Sequence, residues 1–142
     1  MKPITSVAEL DELRSLPRAF VFIYVNWAIQ ARKSDVALGR FLSEFQRQYP
    51  DEDIPIYRVD LSDQEGGVWD ALCNWLGDLS GPRGERLTYG GYGAMLWVRL
   101  GMIKAYVPYL ANIECYKLMA ITKGVFELGS ETGSSGSSPS SI

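Results

Sequence analysis

The side chains that most often carry out chemistry are sparse in this chain. Its 142 residues include two cysteines, Cys73 and Cys115, and no histidine. The missing histidine excludes Ser-His-Asp and Cys-His nucleophilic sites and imidazole metal centres. The cysteines form no CxxC pair, and both fall among apolar residues in predicted helices, where we expect small buried side chains rather than a disulfide. Carboxylates, lysines and tyrosines are left to carry any reaction.

Acidic residues cluster after one predicted strand, at Asp60, Asp63 and Glu65. Asp63 and Glu65 suit the first turn of a helix better than a metal site, and no further ligand spacing accompanies them. Residues 81–86, GPRGER, offer glycines and arginines but lack the Lys-Ser/Thr ending of a phosphate loop. We therefore expect no metal and no cofactor.

Basic residues stand at a predicted helix start, at Arg32, Lys33 and Ser34. Free backbone N–H groups at a helix N-terminus suit a phosphate or a carboxylate. A solvated helix end explains the same pattern more simply, so an anion site stays the weaker alternative.

The overall composition is that of an ordinary globular protein. Hydrophobic residues make up 46% of the chain and charged residues 22%, and the net charge is −3. That charge gives no broad attraction for nucleic acid or anionic lipid. The longest apolar stretch, residues 19–29, is shorter than the ~20 residues that span a bilayer, and the N-terminus lacks the apolar core of a secretory signal. We expect a cytoplasmic protein without a nucleic-acid or membrane partner.

The first half of the chain contains two segments with the periodicity of amphipathic helices. Ser6 and Glu9 have capping-box spacing ahead of a short helix that Pro17 stops. From Ser34 the apolar residues form one stripe of a long helix that ends before Pro50. Helices of this kind bury one face against a sheet or another helix.

The second half contains two further predicted helices. Ser62 and Glu65 repeat the capping-box spacing at the start of a helix that Gly77 ends. Asn112 is placed to cap the last helix. Trp75 lies off the main apolar stripe, which leaves exposure and a dimer contact there as open alternatives.

Strand patterns alternate with these helices. Residues 20–25 form a continuous β-branched and aromatic run that suits the middle of a sheet, and residues 54–61 form a second main strand. Residues 94–99 and 102–107 predict a hairpin, with Gly101 in its turn. Strands joined through helices must pair in parallel, whereas the hairpin adds antiparallel members.

The predicted fold class is therefore α/β, with three layers and a central mixed sheet of four to five strands. A short strand at residues 3–4 is the optional fifth member. We assign residues 1–128 to one domain and expect residues 129–142, which are mostly serine and glycine, to be a disordered tail. Residues 78–91, rich in glycine, proline and charge, predict a long loop of the kind that is often functional or mobile.

Residues 20–32, FVFIYVNWAIQAR, carry a specific resemblance. They resemble the apolar strand of the thioredoxin family and the Trp-Cys-x-x-Cys-Lys motif that follows it, with Ala28 and Ala31 at the cysteine positions. Residues 57–60 resemble the second strand of that family, and residues 94–107 resemble its terminal hairpin. The resemblance covers residues 6–126 and implies a thioredoxin fold.

The resemblance also implies which catalytic features are missing. In thioredoxins the first cysteine attacks a substrate disulfide because a helix N-terminus favours its thiolate, and Ala28 and Ala31 have no sulfur. The buried acid of the family falls on Phe22, the proline before the hairpin falls on or near Gly93, and the helix-kinking proline falls near Val36. Natural divergence explains this wider loss better than a deliberate Cys→Ala substitution.

The same resemblance implies a binding surface. Thioredoxins hold an extended peptide in a groove between the strand-to-helix turn and the loop before the hairpin. We expect Trp27, Ile29, Gln30 and Arg32 on one side of that groove and Tyr92 and Gly93 on the other, with Trp27 as an anchor. The alternative is that Trp27 packs on its own domain and the groove is vestigial.

These observations favour a redox-inactive thioredoxin-like module that binds a protein or peptide through the groove beside Trp27 and Gly93. The alternative from the enzyme class is a thiol-disulfide oxidoreductase, either with its cysteines replaced by Ala28 and Ala31 or through unconventional use of Cys73 or Cys115. An assembly or chaperone subunit is a third hypothesis. Neither a partner nor a homodimer is identified by the sequence.

Overall fold

A computed structural model describes residues 1–62, 67–88 and 92–129. Strands and α-helices alternate along the chain in the predicted order. Their bounds are β1 Lys2–Pro3, α1 Val7–Arg14, β2 Arg18–Tyr24, α2 Ile29–Gln48, β3 Ile56–Asp60, α3 Val68–Leu76, β4 Ala94–Arg99, β5 Met102–Val107 and α4 Cys115–Phe126, with 3-10 turns at Pro82–Gly84 and Leu110–Asn112.

The strands form one mixed sheet in the order β1-β3-β2-β4-β5. β2 pairs in parallel with β3 and antiparallel with β4, so it lies at the centre. α2 packs with α4, and α1 packs with α3, on opposite faces of the sheet. The predicted α/β class, with three layers and a mixed central sheet, is confirmed.

An aromatic cluster joins the sheet to α2 and α4. The ring of Phe20, on β2, lies 5.7 Å from the rings of Phe41 and Phe45 and 5.4 Å from that of Phe126, in edge-to-face geometry. Trp97, on β4, is fully buried beside it, and its indole N–H donates a 2.8 Å hydrogen bond to the hydroxyl of Thr122. Such pairs add specific geometry to the burial of large apolar surface, which fixes α2 against β2.

The first two helices differ in how they begin. Ser6 caps α1 as predicted, because its hydroxyl accepts a 3.2 Å hydrogen bond from the amide of Glu9. α2 begins at Ile29, five residues earlier than predicted. The amide of Arg32 already bonds the carbonyl of Ala28 at 3.3 Å. Arg32 is therefore inside the helix, and the helix start that the weaker anion-site alternative placed at residues 32–34 is wrong.

The capping box predicted at Ser62 does not start α3. That helix begins at Val68, after Gly67 in a left-handed conformation. Ser62 instead closes a turn with β3, since its amide donates to a carboxylate oxygen of Asp60 at 2.9 Å. Asp63 and Glu65 lie outside the described residues.

The last helix also begins later than predicted. Asn112 belongs to the 3-10 turn Leu110–Asn112, and Glu114 precedes the first residue of α4. Asn112 is therefore not the cap. Cys115 opens α4 and is only partly buried, whereas Cys73 is fully buried in α3. The prediction of two buried cysteines holds for Cys73 alone.

The structure places two features that the sequence left open. Trp75 is half-buried, because its indole N–H donates to the carbonyl of Gly101 at 3.2 Å and the guanidinium of Arg14 lies 5.4 Å from its ring. The predicted loop folds back on the domain through residues 78–88, with Leu87 and Thr88 buried. The rest of that loop and the serine-rich tail from residue 130 lie outside the described residues.

Within the described chain, no helix combines the length and the apolar character needed to cross a bilayer.

Candidate functional site

The turn between β2 and α2 is held from both sides. The amide of Asn26 donates a 2.6 Å hydrogen bond to the hydroxyl of Ser62, which follows β3. A guanidinium nitrogen of Arg32 donates to the carbonyl of Asn26 at 3.3 Å. These bonds connect the turn to the neighbouring strand and to the first turn of α2, so the residues between them occupy a defined position.

The start of α2 carries the two alanines at the predicted dithiol positions. Ala28 is the N-cap residue, with extended backbone and no side-chain cap, and Ala31 is fully buried one turn later. The first amides of a helix have no partner within it and favour negative charge. The alanine side chains at these two positions carry no group that can ionise.

Gly93 packs directly against α2. Its φ of +81° lies in the left-handed region that side chains disfavour. A Cβ placed on Gly93 would fall 2.4 Å from the Cβ of Ser34 and 3.3 Å from the Cα of Ala31. The loop before β4 therefore lies so close to α2 that a side chain would not fit between them. Glycine is needed at position 93 both for this close contact and for the left-handed backbone.

Ser34 links three parts of the site, a role that the sequence did not suggest. Its buried hydroxyl donates a 2.6 Å hydrogen bond to the carbonyl of Tyr92 and accepts one of 3.1 Å from the amide of Ala111. The carbonyl of Gly93 accepts a 3.0 Å bond from the amide of Leu110. Both loop carbonyls are thus used within the domain. A buried serine with two long-range partners has no sequence signal beyond its position on the inner face of α2.

The predicted binding residues lie on the two segments that this contact joins, the start of α2 and the loop before β4. Trp27 is 57% exposed and Ile29 is 59% exposed at the start of α2, where Gln30 and Arg32 also face solvent. Tyr92, on the loop tied to α2 through Ser34, is 41% exposed and stacks at 5.4 Å on the ring of Tyr109. Trp27 does not pack away inside its own domain, so one premise of the vestigial alternative is not met.

Comparisons with known proteins bear on the fold. The thioredoxin of Plasmodium falciparum superposes over 87% of this chain and 98% of its own, at 16% identity and a TM-score of 0.54. Fasciola hepatica thioredoxin gives the same coverage and TM-score at 13% identity. Oxidised thioredoxin O2 from Arabidopsis thaliana covers 88% of this chain and 93% of its own, at 14% identity and a TM-score of 0.51.

This chain has the thioredoxin fold. Identities this low establish the fold alone. No protein-family model matches the sequence, and no curated protein matches it.

The resemblance placed a buried acid of the family at the position of Phe22. This thioredoxin fold has aromatic rings and an arginine there instead. Phe22 is fully buried, as predicted. The guanidinium of Arg58, on β3, lies 4.0 Å from the ring centroid of Tyr24 and 5.8 Å from that of Phe22. It also donates to a carboxylate oxygen of Asp35 at 2.8 Å. Arg58 thus connects β3 to α2, and neither Arg58 nor Asp35 was singled out in the sequence.

The cysteines lie elsewhere in the thioredoxin fold. Cys73 is in α3 and Cys115 in α4, on opposite faces of the sheet, and both are free thiols. A disulfide needs Cα atoms within about 7 Å, which this arrangement does not allow. Burial, and then the negative charge of Glu44, raises the pKa of the Cys115 thiol. Among the described residues, no group of three acidic or cysteine side chains is arranged to hold a metal ion.

Proposed function

We propose that this chain is a redox-inactive thioredoxin-like module that binds a protein partner through the surface formed by Trp27, Ile29 and Tyr92. The proposal joins two separate statements. One concerns the absence of thiol chemistry at the start of α2, and the other concerns what the exposed apolar side chains there do instead.

The cysteine positions support the first statement. Thiol-disulfide exchange requires a thiolate that can reach a substrate disulfide and a second thiol that resolves the mixed disulfide. Ala28 and Ala31 supply neither. Cys73 is fully buried, and the thiol of Cys115 has a raised pKa because of burial and the charge of Glu44. Cys73 therefore lacks the exposure, and Cys115 lacks the lowered pKa, that are typical of reactive cysteines.

The exposure of Trp27 and Ile29 carries the second statement. More than half of each side chain faces solvent, two residues apart, on a turn that hydrogen bonds hold in place. A rigid, exposed tryptophan with apolar neighbours is the composition typical of an interface hot spot. An oxidoreductase without a thiol has no evident use for this surface, whereas a binding module does.

The mode of binding differs from the peptide groove expected from sequence. The carbonyls of Tyr92 and Gly93 are already bonded to Ser34 and to the amide of Leu110. Each carbonyl therefore already has one partner within the domain, which makes it a weaker acceptor for an extended peptide backbone. The side chains around the start of α2 are therefore the contact surface in our proposal, and Gly93 allows the close packing beneath it.

Quantitative affinity capture from the native host tests the proposal. Replacing Trp27 and Ile29 together with alanine is expected to reduce recovery of the main partner at least tenfold, because hot-spot residues contribute about 2 kcal/mol or more each. Leu100→Ala is the matched control, since Leu100 is 71% exposed at the other end of β4. Equal recovery with the double variant and the control would contradict the proposed surface.

A further inference from the structure

A second surface lies along the outer side of α2. Lys33, Val36 and Ala37 line its first part together with Ala111, in a hollow of about 330 Å³. These α2 residues recur at intervals of three and four, so they share one face of the helix. Val36 is 57% exposed there. We call this surface and its continuation the α2–α4 groove.

The groove continues between α2 and the start of α4. A middle hollow of about 280 Å³ runs from Ala37 over Ala111 to Leu118. The next hollow, of about 590 Å³, is lined by Glu44, Gln48, Cys115, Tyr116 and Met119. All three hollows share Arg40 as a lining residue. They therefore lie next to one another along α2.

The dimensions of the groove suit an extended segment. From Lys33 to Gln48 the helix rises about 22 Å, at 1.5 Å per residue. An extended chain rises about 3.3 Å per residue, so about seven residues would span it. Apolar side chains form part of the floor, with Leu118 and Met119 buried and Ala37 and Ala111 partly exposed. Polar side chains, among them Arg40, Asn112 and Glu114, line the remainder. The small side chains of Ala37 and Ala111 leave room for every second side chain of such a segment.

The basic and acidic side chains along the groove differ in whether they have partners of opposite charge. Lys33 and Arg40 are exposed, and neither forms an ion pair or a side-chain hydrogen bond with any described residue. The acidic residues are paired instead. Glu44 is bound by Arg47 and by Gln48, and Glu114 lies 3.3 Å from the ammonium of Lys117. The unpaired charge along the groove is therefore positive.

We propose that the α2–α4 groove binds an extended acidic segment of a partner protein, about seven residues long, with apolar side chains on the floor and a carboxylate on Arg40 and Lys33. Arg40 is central because it borders every part of the groove, and a guanidinium pairs with a carboxylate through two parallel hydrogen bonds. This site is separate from the surface of Trp27, Ile29 and Tyr92 and does not depend on it.

The experiment starts from a phage-displayed library of seven-residue peptides selected on the folded chain. Selected peptides are expected to alternate apolar residues with aspartate or glutamate. A synthetic peptide of the selected sequence is then titrated into ¹⁵N-labelled protein. Chemical-shift changes are expected at the amides of Ala37, Ala111 and Met119. No enrichment, enrichment without acidic residues, or shifts confined to the start of α2 would overturn the proposal.

Charge reversal completes the test. Arg40→Glu is expected to weaken peptide binding at least tenfold without changing the melting temperature, because Arg40 is exposed and unpaired. Arg86→Glu makes the same charge change on the exposed loop after α3 and is expected to stay within twofold of the native affinity. Equal binding by the Arg40 and Arg86 variants would overturn the proposal.

Discussion

The hydroxyl of Ser34 donates a 2.6 Å hydrogen bond to the carbonyl oxygen of Tyr92, 58 residues away. It joins the second turn of α2 to the loop before β4, and the amide of Ala111 completes the contact. In this chain the two sides of the candidate site are held together by a buried polar contact rather than by anything at Ala28 or Ala31. The stability of the domain and the position of the loop before β4 both depend on that contact.

Ser34→Ala is expected to lower the free energy of unfolding by about 1–3 kcal/mol, because it leaves a part-buried carbonyl and a part-buried amide without the hydroxyl that binds them. Urea denaturation measures this directly. Ser43→Ala is the control, since Ser43 is exposed on the same helix. A difference of less than about 0.5 kcal/mol between the two variants would show that the hydroxyl of Ser34 does not hold the loop.

Gly93→Ala is expected to destabilise the domain by more than the roughly 1–2 kcal/mol of a left-handed residue, because the new Cβ would also displace Ser34. Gly39→Ala is the matched control. Gly39 lies inside α2 with nothing within 4 Å of an added Cβ, so this change should stabilise the domain by about 0.5–1 kcal/mol. Thermal unfolding of both variants checks the opposite signs, and a neutral Gly93→Ala would contradict the packing described here.

The Cys115 thiol is expected to be a poor nucleophile. Burial, and then the charge of Glu44, raises its pKa above the ordinary value, so less thiolate is present at pH 8 than in a free thiol. Alkylation by iodoacetamide should be slower than that of glutathione and should accelerate as the pH rises above 9. Glu44→Gln removes one of the two causes and should increase the rate at pH 8. Alkylation faster than that of glutathione would contradict this environment.

The sequence predicted which helices and strands form better than it predicted where they begin and end. Periodicity identified the helices and the central strand because each buries a continuous apolar face, and Phe20 and Trp97 now occupy that core. Helix starts were less predictable. Ser62 has the right residue type for a cap, yet its hydroxyl accepts from the amide of Asn26 across the sheet. A long-range partner of this kind leaves no trace in local spacing.

Those parts of the candidate site that follow directly from the order of strands and helices were predictable. The strand-to-helix turn placed Trp27 and Ile29 correctly on the surface, because a turn at the end of a central strand has little to pack against. The contacts that fix the site were not predictable. Ser34 and Arg58 each meet partners that are distant in sequence and ordinary in type. The groove along α2 was missed because its floor comes from residues after β5, which only the fold brings beside the helix.

Insulin reduction in dithiothreitol by the native chain tests the central claim most directly, because it asks whether any residue of this thioredoxin fold carries out disulfide exchange. We predict no precipitation of insulin above the uncatalysed rate, and the same rate for Cys73→Ser and Cys115→Ser. Catalysed reduction that either serine variant abolishes would contradict the account.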